Sequence, residues 1–143
     1  SNIFISNLEL RKRFKKENSR IGIQSPNVLG LKATEAAYKN GDHWFEKLMI
    51  LLNKNVYLTI KILKEIDNRF KVMRPEASFL VCVNIEEFGK SNQEFMEILE
   101  SNKIFVTNGE RYGKEGKGWI RINIGMPTEY LEANLKRFSL LDL

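Results

Sequence analysis

A long stretch of helical periodicity dominates the middle of the sequence. An apolar residue recurs every three or four positions there, at Phe45, Leu48, Leu52, Val56, Ile60, Leu63 and Ile66. This spacing predicts one amphipathic helix that begins at an Asp42 N-cap. At 1.5 Å per residue the helix would be about 35 Å long. A small domain rarely needs a helix of that length, so the pattern indicates a helix that bridges two bodies.

The segments on the two sides of this helix differ in pattern. Upstream, residues 3–5 form an apolar run typical of a buried strand, and helices are predicted after Asn7 and over residues 28–39. Downstream the predicted order is strand, strand, helix, strand, strand, helix. The strands are predicted at residues 72–73, 78–84, 104–106 and 119–124, and the helices at 91–102 and from Pro127 onwards. This order predicts an α/β (α+β) layer in which helices cover a small sheet, and the strand at residues 3–5 has no partner in it.

Composition excludes several kinds of site. The 143 residues include one cysteine, Cys82, and one histidine, His43, so we expect neither a disulfide framework nor a metal site. We interpret His43 as a surface residue and Cys82 as an inert thiol buried in a strand. No apolar run is long enough to cross a membrane and no signal peptide is apparent, so we expect no membrane partner and a cytoplasmic location.

The first predicted helix is strongly basic. Its basic residues are Arg11, Lys12, Arg13, Lys15 and Lys16, in a chain with a net charge of +5. Such a cluster could contact RNA or DNA phosphates, and a basic nucleic-acid-binding module is therefore one alternative. We favour the solvent-exposed side of an amphipathic helix, which does not require a nucleic-acid partner.

Four glycines lie close together between two predicted strands, at Gly109, Gly113, Gly116 and Gly118. A phosphate-binding P-loop needs a helix behind the glycine-rich turn and a Lys followed by Ser or Thr, and neither is present. The glycines instead indicate a mobile loop that lets the backbone pass near a ligand.

Arg121 lies within an otherwise apolar strand. Strand alternation places it on the opposite face from Ile120 and Ile122. An arginine at such a position needs a carboxylate partner or an exposed face. The pattern alone favours a surface or ion-paired arginine, and an anionic ligand is the alternative.

Several stretches, taken in order, resemble the class I/II aminotransferase-like pyridoxal-phosphate (PLP) enzymes. They are residues 1–14, residues 25–30, residues 36–41 with Trp44, residues 75–80, residues 109–113 and residues 120–124. The branch that they resemble most is the C–S lyases of the cystathionine β-lyase type. Two departures stand out: the family's Pro-Glu-Gly-Thr-Tyr is Pro-Glu-Ala-Ser-Phe from Pro75 onwards, and a Trp common in the next strand is Cys82.

The resemblance implies a division of the chain into three parts of a longer enzyme. Residues 1–40 would be the end of a large cofactor domain, residues 41–69 the long linking helix, and residues 70–143 the small C-terminal domain of the PLP-dependent transferase fold. The cofactor lysine and the main PLP-binding residues would precede residue 1. We therefore expect no catalytic residue in this chain and no activity from it alone.

The resemblance also implies roles for individual residues. Arg121 would bind the α-carboxylate of an amino-acid substrate, with Asn123 and Tyr112 beside it. Ser25 and Asn27 would approach the partner subunit of a homodimer. The whole enzyme would be a C–S β-lyase of the cystathionine or cysteine type, or alternatively an aminotransferase. A regulatory domain that keeps the amino-acid pocket without catalysis is a third possibility.

Overall fold

The chain divides into two units, Ser1–Trp44 and Phe45–Leu143, and the computed structural model describes residues 3–23 and 26–143. The first unit contains helices α1 (Leu8–Arg20) and α2 (Val28–Asn40), neither of which has a buried residue. Helix α3 comprises residues Asp42–Ile66. Its first turn belongs to the first unit, and the rest of the helix belongs to the second. Its 25 residues confirm the long helix that the apolar periodicity predicts.

The N-terminal strand prediction is wrong. Within the described part of the chain, residues 3–5 pair with no strand, and Phe4 is 92% exposed. A strand needs a neighbour to pair its backbone N–H and C=O groups, and every strand of the sheet lies beyond residue 70. The next prediction is confirmed, because Asn7 caps α1 by accepting a hydrogen bond of 3.0 Å from the Leu10 N–H.

The second unit contains a four-stranded antiparallel sheet and two further helices. The strands are β1 (Lys71–Met73), β2 (Leu80–Asn84), β3 (Thr107–Asn108) and β4 (Trp119–Asn123), and the helices are α4 (Asn92–Ser101) and α5 (Thr128–Lys136). The strands lie side by side in the order β1-β2-β4-β3. The predicted order of elements and the mixed α/β class are confirmed.

Strand β3 lies three residues beyond its predicted position. Lys103 adopts a left-handed φ of 57°, and the Ile104 N–H then bonds to the Leu99 carbonyl, which closes the end of α4. Ile104 is buried in the core, whereas Phe105 is 80% exposed. The apolar residues at 104–106 therefore reflect the burial of Ile104 and the partial burial of Val106 against the core, and not a strand.

The core lies between the helices and one face of the sheet. Strand alternation buries Val81 and Val83 of β2 together with Ile120 and Ile122 of β4. The helices contribute buried residues to the same cluster, among them Val56, Leu63, Phe95, Leu99, Leu131 and Leu135. The intervening residues of each strand therefore lie on the other face of the sheet.

A buried asparagine ties α3 to the end of β4. The Asn55 side chain is completely buried, and its amide nitrogen donates to the carbonyls of Ile124 at 2.9 Å and Met126 at 2.8 Å. Its amide oxygen accepts a hydrogen bond from the Thr128 hydroxyl at 2.8 Å. The turn between β4 and α5 is thus held by one side chain of the long helix.

A second buried asparagine ties α4 to the loop of residues 109–118, here called the glycine loop. Asn92 is 3% exposed, and its amide oxygen accepts from the Gly118 N–H at 2.6 Å. Its amide nitrogen donates to the Trp119 carbonyl at 2.9 Å and to the Asn108 side-chain oxygen at 2.8 Å. Both ends of the glycine loop are therefore fixed to the start of α4.

No helix within the described residues combines the length and the apolar character that crossing a bilayer requires.

Replacing Asn55 with leucine should destabilise the fold strongly. The substitution keeps the approximate volume but leaves two buried carbonyls and one buried hydroxyl without their partner, which costs roughly 2–4 kcal/mol of unfolding free energy. Urea unfolding followed by circular dichroism measures this loss. Asn53→Leu is the matched control, because Asn53 is exposed on the same helix and should change stability by less than about 0.5 kcal/mol. Equal effects of the two substitutions would contradict the role of Asn55.

Candidate functional site

A cavity of about 410 Å³ lies on the face of the sheet opposite the core. Its floor comes from the strands and one wall comes from the glycine loop. The side chains that line it include Met73, Cys82, Tyr112, Glu115, Trp119 and Arg121. Most of this lining is apolar, with one guanidinium and one carboxylate among it.

Strand register places Arg121 in a lateral row across the sheet. Met73 pairs with Cys82, Cys82 with Arg121, and Arg121 with Thr107. Since β4 lies between β2 and β3, the arginine occupies an interior strand of the sheet, beside the glycine loop. Its neighbours Ile120 and Ile122 are buried on the other face, so the same strand anchors the core and carries the guanidinium.

The Arg121 guanidinium stacks on an aromatic ring and makes no ion pair within the described residues. Its central carbon lies 4.4 Å from the centroid of the Tyr112 ring. The Nε atom is buried and has no hydrogen-bond partner. No carboxylate oxygen of the described chain approaches the guanidinium within 4.0 Å. A guanidinium that lines a cavity and has no carboxylate partner in the described chain favours an anionic ligand as that partner.

The guanidinium of the cavity fits a carboxylate ligand, and the described cavity lining holds no amine that could bind PLP covalently. A guanidinium presents parallel N–H groups that match the two oxygens of a carboxylate. PLP chemistry requires a lysine amine, and the cavity lining has no lysine among the described residues. Over the same residues, no group of three or more His, Cys, Asp or Glu side chains is placed to hold a metal ion.

The structure brings together two of the three predicted substrate-binding residues. Arg121 and Tyr112 line the same cavity, with the ring against the guanidinium. Asn123 is exposed and does not line this cavity, because its side-chain oxygen accepts a hydrogen bond of 2.8 Å from the Gly125 N–H in the turn after β4.

The two predicted subunit-contact residues belong to the first unit. The Asn27 side chain caps α2 by accepting from the Leu29 N–H at 2.7 Å. Ser25 lies outside the described residues.

The interpretation of Cys82 as a buried thiol is wrong. Cys82 is only partly buried, and it lies on the cavity face of β2 between the buried Val81 and Val83. Because the two valines occupy the core face, alternation alone places Cys82 on the face that carries Arg121. Sequence reasoning also missed Glu115 and Trp119, whose positions depend on how the glycine loop folds back over the sheet.

The backbone of the glycine loop packs closely against itself. It forms two short 3-10 turns, Gly109–Tyr112 and Lys114–Gly116. Gly109 and Gly116 approach so closely that a Cβ on either would overlap the carbonyl oxygen of the other. These glycines let the loop pack on itself and carry Tyr112 over the cavity.

Comparison with known proteins gives matches over nearly the whole chain. The chain is 30% identical over 140 residues to cystathionine beta-lyase PatB of Bacillus subtilis strain 168, which covers 97% of the chain and 36% of PatB. A PLP-bound protein from Clostridium difficile 630 matches in fold with a TM-score of 0.89 at 32% identity, over 94% of this chain and 35% of that protein. Cystalysin from Treponema denticola, whose crystal structure contains PLP, matches with a TM-score of 0.91 at 25% identity, over 98% of this chain and 36% of cystalysin. Several aminotransferases also match.

No protein-family model matches the chain. The chain spans little more than a third of the length of these relatives. This partial coverage is consistent with the predicted correspondence to the C-terminal part of such an enzyme. In sequence and in fold, the chain is similar to one part of the class I/II aminotransferase-like PLP enzymes, the group that includes the C–S lyases.

Proposed function

We propose that this chain supplies the substrate-carboxylate site of a PLP-dependent C–S β-lyase that acts on amino acids of the cystathionine or cysteine type. One observation supports the proposal most strongly. The Arg121 guanidinium lines a cavity and makes no ion pair within the described residues. An amino acid carries the carboxylate that would pair with this cation. The matches to PatB and cystalysin favour the lyase branch.

In this mechanism Arg121 binds the α-carboxylate of the substrate and orients it. Two parallel N–H···O hydrogen bonds to the α-carboxylate fix the plane of that group and so restrict rotation about the bond to Cα. Met73 and Trp119 line the cavity with apolar surface, which lowers the local dielectric constant and strengthens these bonds. PLP, when bound in the whole enzyme, would supply the electron sink for bond breaking at Cα.

The remaining parts of the proposal concern the whole enzyme. Residues 1–40 belong to the end of its cofactor domain, residues 41–69 form the linking helix, and residues 70–143 form the small C-terminal domain. We propose a homodimer in which Ser25 and Asn27 approach the partner subunit, and a cytoplasmic location.

Removing the guanidinium should weaken carboxylate recognition. In a Trp44→Phe background Trp119 is the single tryptophan and lines the cavity, so its fluorescence can report L-alanine binding. We expect Arg121→Gln to weaken L-alanine binding by about 10- to 100-fold, because hydrogen bonds to charged groups contribute about 1.5–3 kcal/mol. Arg111→Gln is the matched control, since Arg111 is exposed and does not line the cavity.

L-Alaninamide, which lacks the carboxylate, separates recognition of that group from general binding. The affinity of L-alaninamide for the unmodified chain should be no higher than the affinity of L-alanine for the Arg121→Gln variant. Equal binding of L-alanine and L-alaninamide, or no loss in Arg121→Gln, would overturn the proposed role of Arg121.

The chain alone should neither retain PLP nor turn over substrate. Since no lysine lines the described cavity, mixing the chain with PLP should leave no bound chromophore after gel filtration. Visible absorbance before and after borohydride treatment measures this. A stoichiometric yellow species that borohydride reduces would contradict the prediction.

The products formed by the whole enzyme distinguish a lyase from an aminotransferase, the second candidate that the matches support. With L-cystathionine, a β-lyase breaks the C–S bond and, with uptake of water, releases a thiol, a 2-oxo acid and ammonia. An aminotransferase transfers the amino group to an added 2-oxo acid and leaves the C–S bond intact. We expect thiol release, measured with a thiol reagent, that does not depend on an added 2-oxo acid. Turnover only in the presence of that acceptor would favour the aminotransferase.

A further inference from the structure

We infer that Tyr112 is a positioning residue, whose ring holds the Arg121 guanidinium by stacking and does not itself recognise the substrate through its hydroxyl. The inference rests on the proposed function of Arg121 and adds to it a specific means by which the arginine is held ready.

The stacking geometry orients the guanidinium without using its donors. The ring centroid lies 4.4 Å from the guanidinium carbon, within the range of a cation–π interaction. The cation lies over the face of the ring, which attracts its charge and offers no carboxylate or carbonyl oxygen to its N–H groups. A carboxylate partner would have occupied those same N–H groups. The aromatic ring therefore fixes the arginine and leaves its hydrogen-bonding edge free for a ligand.

The Tyr112 hydroxyl makes no hydrogen bond to any described residue. Tyr112 is 59% exposed. The ring is thus the part of the side chain that contacts Arg121. A phenylalanine at this position should act in the same way.

The backbone of the glycine loop determines where the ring lies. Tyr112 ends the first 3-10 turn, directly before Gly113, whose φ of 121° is rarely adopted by other residues. Asn92 binds both ends of the loop, through the Asn108 side chain at one end and Gly118 at the other. The position of the ring is therefore linked to α4 as well as to the sheet.

The NMR signal of the Arg121 Nε–H tests the stacking directly and without a ligand. Loss of one signal in Arg121→Lys assigns it. A group held over the face of an aromatic ring is shielded, so we expect this signal to lie upfield of the other arginine Nε–H signals. Tyr112→Phe should preserve the shift, and Tyr112→Leu should remove it while the backbone spectrum of the sheet stays unchanged. An unshifted signal in the unmodified chain overturns the inference even if the leucine variant does not fold.

The affinity for L-alanine provides the second readout. We expect Tyr112→Leu to raise the dissociation constant about fivefold, as the loss of one cation–π contact predicts, and Tyr112→Phe to stay within about twofold of the unmodified chain. In the whole enzyme the leucine substitution should raise KM more than it lowers kcat.

Two outcomes would overturn the inference in different ways. Equal weakening by Tyr112→Phe and Tyr112→Leu would mean that the hydroxyl contacts the ligand. Unchanged affinity in Tyr112→Leu, together with loss of binding in Arg121→Gln, would refute positioning by Tyr112 and leave the role of Arg121 intact. Retained binding in Arg121→Gln would instead refute the proposed function itself.

Discussion

The hydrogen bonds of Asn55 connect the long helix to the strand that carries the candidate site. Ile124, which is fully buried, directly follows β4, and its carbonyl accepts from the Asn55 amide. The same amide also donates to the Met126 carbonyl, so two hydrogen bonds hold the turn before α5 against α3. Because the polar groups of this cluster are hydrogen-bonded to one another, their burial costs little, whereas removing one partner would leave the others buried and unpaired. The place of Arg121, three residues before Ile124, depends on this attachment.

The period-two geometry of β4 explains how so small a sheet can hold a core and a binding cavity together. Ile120 and Ile122 bury one face, and Arg121 between them must then face the other. A shift in register by one residue would place the guanidinium in the core and expose the isoleucines, which the burial energy of those side chains strongly opposes. The hydrophobic pattern therefore determines where the guanidinium lies. The same rule explains Cys82, which the two buried valines of β2 direct into the cavity.

The elements that could be predicted from the sequence are those with a long, regular signal. Helix α3 and strand β4 follow from periodicity, and the faces of Arg121 and Ile120 follow from alternation alone. Residues 3–5 and 104–106 have the composition of strands, but a strand exists only when another strand pairs with it, and local sequence does not contain that information. The two asparagine clusters could not be foreseen either, since Asn55 lies 69 residues away from Ile124 along the chain. The role of Tyr112 at the site came from the family resemblance, whereas its contact with Arg121 requires the folded glycine loop.

An arginine that must receive a carboxylate has to be held by something that does not compete with that carboxylate. Glu115 lines the same cavity, and an ion pair with it would hold Arg121 firmly. The substrate carboxylate would then have to displace the Glu115 carboxylate from the guanidinium. The distance between the two side chains exceeds that of an ion pair. An aromatic ring attracts the cation through its face and does not occupy the N–H groups. The ring therefore restricts the Arg121 side chain before the ligand binds, and less side-chain entropy is lost on binding. The close contact of Gly109 with Gly116 has a function in this arrangement, because it folds the loop tightly enough to bring the ring over the guanidinium.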